Sequence, residues 1–294
     1  MEKIAAVIVT FNRLPLLKQV IALIRSQSLK PDAIFVINNG STDETGDWLA
    51  QQSDIRVITQ ENVGGSGGFY RGMKEAYDAG YDWIWLMDDD VFPSSTCLEK
   101  LIDSKAPIAL PLRIGRSQES FRDLPAKVYN LKDPFRKNPR ITIDDVLHIK
   151  KFAELPEQTS VEDFAFEGPL ISREVVEKAG FPRKEFFIYH DDTEYSLRCI
   201  KKHGFNAVLI RDAHLYRQLE DKNEINWKSY YKVRNRAKVH LLHGDNLLVK
   251  LKPLYMFMGS FLRDLLTFQI KKDDLKFKFW GLYDAYTNSF TRRF

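Results

Sequence analysis

Short apolar runs alternate with stretches of helical spacing over the first hundred residues. The run 4–9 is uninterrupted and rich in β-branched side chains, the pattern of a parallel strand buried on both faces. It stops at Thr10-Phe11-Asn12-Arg13, after which residues 14–26 place Leu16, Leu17, Val20, Ile21 and Ile24 on one helical face. A second run, 33–37, ends in Asn38-Asn39-Gly40-Ser41-Thr42-Asp43, a turn-rich cluster suited to cap a helix reaching Gln51. A third, 55–58, leads into Glu61-Asn62-Val63-Gly64-Gly65-Ser66-Gly67-Gly68, with a helix predicted over 69–79. The fourth, 83–87, runs straight into Asp88-Asp89-Asp90. This alternation of strand and helix predicts an α/β fold, a parallel sheet covered by helices.

In such a sheet the polar strand ends gather at one edge, where ligands of open α/β sheets bind. The acidic triplet is delivered there. Continued strand alternation would put Asp88 and Asp90 on one face and turn Asp89 away. Two carboxylates on one face call for a positive group between them, and a divalent cation held with a phosphate is one candidate. A solvated acidic turn is the other. Glycines at 64–68 permit close backbone approach and expose amide groups at a helix start, or they form a flexible loop. The segment lacks the Lys-Ser/Thr ending of a P-loop and the spaced dinucleotide fingerprint.

The middle of the chain carries less signal. A short strand is expected near 108–110, and the stretch 124–159, rich in Arg, Lys and Pro, reads as a lid or insertion without assignable chemistry. A second acidic cluster follows the aromatic run at 186–189: Asp191, Asp192 and Glu194, at the start of a helix over 195–203. Acids there either complement the helix dipole or act as a general base. Residues 207–210 form another strand, followed by His214, a structural histidine or a ligand. Farther on, Tyr231, Arg234 and Asn235 share one helical face, suited to a phosphate or sugar ligand or else to solvent.

Charge changes the picture of the C-terminal part. The net charge of the 294 residues is +4, but 222–294 carries 15 Lys and Arg against 6 Asp and Glu. With its Leu, Phe, Trp and Tyr, this part suits helices on an anionic bilayer, on the rest of the chain or on a second subunit. No base-reading motif accompanies the basic residues, so nucleic acid is not an expected partner. No apolar run reaches the length of a membrane span, and the N-terminus reads as a strand, not as a signal peptide. Cys97 and Cys199 give neither a disulfide framework nor zinc spacing, which fits a reducing cytoplasm.

These motifs, in this order, resemble the family 2 glycosyltransferases of GT-A fold. The resemblance rests on Val9-Thr10-Phe11-Asn12-Arg13, Asn38 to Asp43, Asn62-Val63-Gly64-Gly65, the Asp88 triplet and His190-Asp191-Asp192-Thr193-Glu194. The Tyr230 to Asn235 helix looks like that of the bacterial rhamnosyl- and galactofuranosyltransferase branch. The resemblance implies a mixed, mainly parallel sheet flanked by helices in a GT-A catalytic domain over 1–221, with a donor half to about 105 and an acceptor half from about 106, and a helical extension over 222–294. It implies that Thr10, Phe11, Arg13, Asn38, Asn39, Asn62, Gly64, Gly65, Asp88, Asp89, Tyr231, Arg234 and Asn235 bind a nucleotide-diphosphate sugar. Many relatives have Asp where Asn38 stands, so base recognition would rest on amide hydrogen bonds. Asp88, Asp90 and His214 would hold Mn²⁺ or Mg²⁺. Asp192 would be the catalytic base, assisted by Asp191 and Glu194. Glu167, Gly168 and His190 would meet the acceptor, a glycan or a polyprenyl-diphosphate-linked precursor. The activity implied is inverting transfer of galactofuranose from UDP-galactofuranose, or of rhamnose from dTDP-rhamnose. A nucleotide-sugar or glycan-binding module without catalysis is the non-enzymatic alternative. The expected place is the cytoplasm, or the inner face of the cell membrane.

Overall fold

The four apolar runs lie side by side as β1 (Ile4–Thr10), β2 (Ala33–Asn39), β3 (Ile55–Gln60) and β4 (Trp83–Asp88), parallel and in the order β3-β2-β1-β4. The computed structural model describes residues 2–115, 124–149, 154–217, 227–268, 272–290 and 293. Beyond β4 the sheet continues through β10 (Leu170–Ser172), β6 (Ile108–Ile114), β11 (Ala207–Arg217) and β5 (Val91–Pro93), with β9 (Gln158–Val161) also paired to β11. β10 is antiparallel to both neighbours, β5 and β9 are antiparallel to β11, and β6 is parallel to it. The sheet is thus mixed and mainly parallel: its parallel strands follow the sequence pattern, and the antiparallel strands are the mixed part that the GT-A resemblance implies.

Every residue of β1 is buried, because helices cover both faces. Ala5, Val7 and Val9 pack with Phe69 and Met73 of α3 (Gly64–Asp78), whereas Ile4, Ala6 and Ile8 pack with Leu17, Val20, Ile21 and Ile24 of α1 (Leu14–Arg25). α2 (Thr45–Ala50) and α4 (Cys97–Asp103) complete this part of the chain. The glycine segment departs from expectation: α3 begins at Gly64, not at residue 69. Glycine is a poor helix former, but here packing overrides propensity. A Cβ on Gly68 or Gly72 would come within 2.4 Å of Val9 Cγ1 or 2.3 Å of Val7 Cγ1, so bare backbone lets α3 lie directly on β1.

The stretch expected as a lid or insertion contains a small antiparallel pair, β7 (Ala126–Tyr129) and β8 (Arg140–Thr142), and the short α5 (Ile143–Leu147). α6 (Arg173–Ala179) precedes the second acidic cluster, which lies in the first turn of α7 (Asp191–Leu197). The C-terminal part forms α8 (Lys228–His243), α9 (Leu247–Leu266) and α10 (Lys272–Tyr286). Among the described residues no helix is long and apolar enough to cross a membrane. The expected boundary at 221 lies outside the described residues. Val239 of α8 and Val249 of α9 share a core with Ala126, Tyr129, Leu131, Phe186 and Leu197. Cys97 and Cys199 are both buried free thiols.

Candidate active site

Strand register assembles the first corner. Thr10 pairs with Asn38 and Val9 with Asp88, so the ends of β1, β2 and β4 share one edge of the sheet. The Thr10 hydroxyl donates to Asp89 Oδ2 at 2.7 Å, and both residues are buried. Arg13 Nη1 lies 3.1 Å from Asp89 Oδ1 and 3.1 Å from Asp90 Oδ2. This corrects the expected alternation along the triplet. β4 ends at Asp88, and Asp89-Asp90 form a turn, so Asp89 points inward to Thr10 and Arg13. The positive group between the carboxylates is a guanidinium of the chain itself.

Asp88 experiences the full concentration of negative charge. Burial first, then Asp90, Glu167, Asp89 and Asp191, hold its carboxyl well above the usual carboxylate range. Burial also raises Asp89, against the opposing pull of Thr10 and Arg13. His214 lies on β11, where its carbonyl accepts the Ser94 amide at 3.0 Å. Among the described residues no group of three or more His, Cys, Asp or Glu side chains stands close enough to hold a metal ion. Asp90 Oδ2 is engaged by Arg13, whose side chain is half-exposed.

The other candidate donor residues divide into lining and scaffold. Phe11 is exposed at the strand end, and Asn38 Oδ1 is used by the Ser41 amide at 3.1 Å. Asn39 is buried and ties the loop to α3: its amide donates to the Gly64 carbonyl at 3.0 Å, and its Oδ1 accepts from Gln60 at 2.9 Å. Asn62 Oδ1 accepts the Gly64 amide at 2.9 Å. Gly64 has φ +78° and abuts the Phe187 carbonyl, whereas the space beside Gly65 is open. Asn12, not singled out in the sequence, braces the neighbouring loop by accepting the Thr42 amide at 2.7 Å.

The second acidic cluster borders a cavity of about 240 Å³, which Asp192 lines together with Glu167, His190, Arg113, Arg140 and Asp163. Asp192 Oδ1 accepts the Thr193 amide at 2.6 Å. Burial, then the charge of Asp191, push Asp192 up to about 7. Burial alone accounts for most of the rise of Asp191 to about 6. His190 is driven down to about 4 by burial and by nearby cations, so it is neutral at pH 7. Glu167 accepts from Arg113 and Arg217, each at 3.0 Å, and Arg140 pairs with Asp163 at 2.6 Å. Gly168, with φ +82°, accepts Trp85 Nε1 at 3.0 Å on its carbonyl, and a Cβ there would strike Pro111. Arg113, Arg140, Asp163 and Arg217 were not expected from the sequence, since they come from separate elements with no local motif.

Glu194 faces away from this cavity. Its buried carboxylate meets Arg198 at 2.9 Å, Arg183 at 3.2 Å and His243 at 3.4 Å. Burial opposes its ionisation, but His243 and the guanidinium groups overcome this and hold it down at about 2. It is an anchor for α7, not a group facing an acceptor.

Tyr231, Arg234 and Asn235 also depart from expectation. They do share one face of α8, but all three are buried, at 0%, 1% and 0% exposure. That face is turned to the chain: Arg234 Nη2 donates to the carbonyls of Glu185 and Phe186 at 2.9 Å, and the Asn235 amide to those of Phe186, Ile188 and Tyr189 at 2.8–2.9 Å.

Comparison with known proteins gives the geometry a family. The model of glycosyl transferase family 2 matches residues 5–163. The galactofuranosyltransferase GlfT1 of Mycolicibacterium smegmatis is 28% identical over 210 residues, 68% of this chain and 66% of that protein. The dTDP-rhamnosyl transferase RfbF of Shigella flexneri is 28% identical over 249 residues, 80% of this chain and 78% of that protein. Thus the chain spans just under two thirds of GlfT1 and more of RfbF. Among solved structures, GalNAc-T7 with UDP, GalNAc and Mn²⁺ superposes with a TM-score of 0.55 at 14% identity, over 91% of this chain and 58% of that one. The fold is therefore GT-A, and with a family model spanning more than half of its length the chain belongs to glycosyl transferase family 2.

Proposed function

We propose that this protein is an inverting, divalent-cation-dependent glycosyltransferase that moves galactofuranose from UDP-galactofuranose to a hydroxyl of a cell-surface glycan, free or carried on polyprenyl diphosphate. The observation that supports it is the pairing of two buried acidic groups, both raised above the usual carboxylate range, in different surroundings. Asp88, beside the strand ends, is surrounded by negative charge, while Asp192, across from it, has a carboxyl lifted to about 7 on the wall of a sugar-sized cavity.

Asp192 takes the proton of the acceptor hydroxyl as that oxygen attacks the anomeric carbon. The new C–O bond forms on the face opposite the leaving diphosphate, whose C–O bond breaks with its electron pair. One base suffices, and no covalent nucleophile is needed. Glu167, Arg113, Arg140 and Asp163 present paired charges to the cavity, a wall of fixed donors and acceptors suited to a neutral polyol. The crowding of carboxylates at Asp88 fits a cation, so Asp88 and Asp90 would hold Mn²⁺ or Mg²⁺, which supplies positive charge to the departing diphosphate. Thr10, Phe11, Arg13 and Asn38 border the place for the nucleotide.

The names of the relatives favour galactofuranose, with rhamnose from dTDP-rhamnose as the second reading because of RfbF. A panel of nucleotide sugars assayed for diphosphate release, with and without Mn²⁺, tests both. UDP release from UDP-galactofuranose that needs Mn²⁺ and an acceptor is expected. Release of dTDP alone would establish the second reading, and donor binding without release would leave a binding module.

The C-terminal helices add a place of action. α9 exposes Leu254, Met258, Leu262, Leu265 and Leu266, and Arg263, Lys272 and Lys276 are exposed nearby. This apolar and basic face suits peripheral contact with an anionic bilayer, such as the inner face of a cell membrane. Co-sedimentation with anionic vesicles that weakens with salt is expected. Equal binding to zwitterionic vesicles, or self-association that hides the face, would refute that contact.

A further inference from the structure

We propose that Arg234 and Asn235 are positioning residues of the transfer reaction, holding a left-handed turn at 187–190 that aims Asp192 at the cavity. This rests on the glycosyl-transfer reading above. The turn is unusual for its residues: Phe187, Tyr189 and His190 have φ of +67°, +63° and +60°, and none is glycine. Phe187 also has ψ −65°, and the Ile188 amide donates back to the Phe186 carbonyl at 2.8 Å, which makes a γ-turn of the rare, strained kind. Such backbone persists only where its surroundings over-determine it.

The surroundings here are two side chains of α8. Asn235 places its amide nitrogen within 2.9 Å of three turn carbonyls, at Phe186, Ile188 and Tyr189. Arg234 Nη2 adds two more contacts, at Glu185 and Phe186. Arg234 Nε donates to Asn235 Oδ1 at 2.9 Å, which fixes the amide with its N–H groups toward the turn. The Tyr231 ring packs 5.0 Å from that of Phe187. On its other side, the Phe187 carbonyl accepts the Ser66 amide at 3.1 Å and closes against Gly64. The same turn therefore docks the start of α3, on the nucleotide side, against the start of α7, which carries the base. Neither α8 residue is placed to touch substrate, so both act through the turn.

Asn235→Ala and Arg234→Lys in the full chain test this, with Tyr286→Phe as the control. Tyr286 ends α10 and donates its hydroxyl to the Lys250 carbonyl at 2.7 Å, away from the turn. The first readout is hydrogen exchange. Peptides over 185–194 should exchange about tenfold faster in Asn235→Ala while β1 and β4 keep their protection. The second readout is the pH profile of turnover. Asp192 is faced by Asp191 on its own helix, by Glu167 and Asp163 from the loops beside β10 and β9, and by His190, Arg113 and Arg140 around the cavity. Release of the turn opens that enclosure to water, so the rising limb should move down by about one pH unit, with turnover falling about tenfold. Arg234→Lys, which keeps the charge but not the fork, should move both readouts the same way and remains available if Asn235→Ala does not fold. Unchanged exchange at 185–194 would overturn the clamp. Faster exchange with an unmoved limb, or an equal shift in Tyr286→Phe, would overturn the positioning role. A wild-type protein inactive with every donor would instead sink the transferase reading, leaving the exchange result to judge the clamp.

Discussion

Asp192→Asn lowers turnover by about 10²–10⁴-fold while donor affinity stays near that of the unmodified protein, the effect of deleting a general base. The amide keeps the shape of the side chain and its bond with Thr193, but it cannot take a proton. In the unmodified protein the base works deprotonated, and burial together with Asp191 lifts its carboxyl to about 7. Turnover should therefore climb as pH rises through neutrality and level off above it. The variant should show low, nearly pH-independent turnover. Rates across about pH 5–9, which brackets the Asp192 value on both sides, compared with calorimetric donor binding, provide the check. Near-normal turnover in the variant would remove Asp192 from the role of base.

The second large effect is on stability. Glu194→Gln should lower stability by about 3–5 kcal/mol, because it strips the carboxylate from a buried charge cluster and leaves Arg198 without its partner. For a chain of this size that is a fall in melting temperature on the order of 10 °C. The pH dependence has a definite sign. The folded carboxyl is held at about 2, below its ordinary 4.5, so ionisation stabilises the fold. That contribution, about 3 kcal/mol, is fully present above the unfolded value and fades as pH falls toward 2. Melts of both proteins at neutral pH and near pH 3 should thus show a gap that narrows on acidification. A constant gap would mean that packing, not charge, accounts for the loss.

Much of the frame was legible because it depends on local patterns. The runs at β1, β2 and β4 are continuous and apolar, as strands covered on both faces must be, and their polar ends mark one edge. Four features escaped for identifiable reasons. Gly64 to Gly68 look like a loop to propensity, because the compensation, contact with Val9 and with the 187 turn, is remote in sequence. The alternation expected through Asp90 failed because β4 stops at Asp88, and nothing in three identical residues marks where a strand ends. For Tyr231, Arg234 and Asn235 the helical period correctly gave a shared face, but period does not say what the face meets. It meets backbone carbonyls of 185–189, which no side-chain pattern advertises. Arg113, Arg140 and Asp163 join the expected Glu167 at one cavity from three different parts of the chain, so only tertiary structure unites them.

Arg13 has a consequence for the order in which ligands are accepted. The free protein already carries a counterion in its three-aspartate corner, divided between Asp89 and Asp90 and still half open to solvent. Under the proposed function, a diphosphate that drew Arg13 to itself would strip two carboxylates of their balancing charge. Electroneutrality then makes donor and cation mutually dependent: each would bind more tightly when the other is present, and by the same factor. A site that appears committed to its own arginine is in this sense a latch that neither ligand opens well alone.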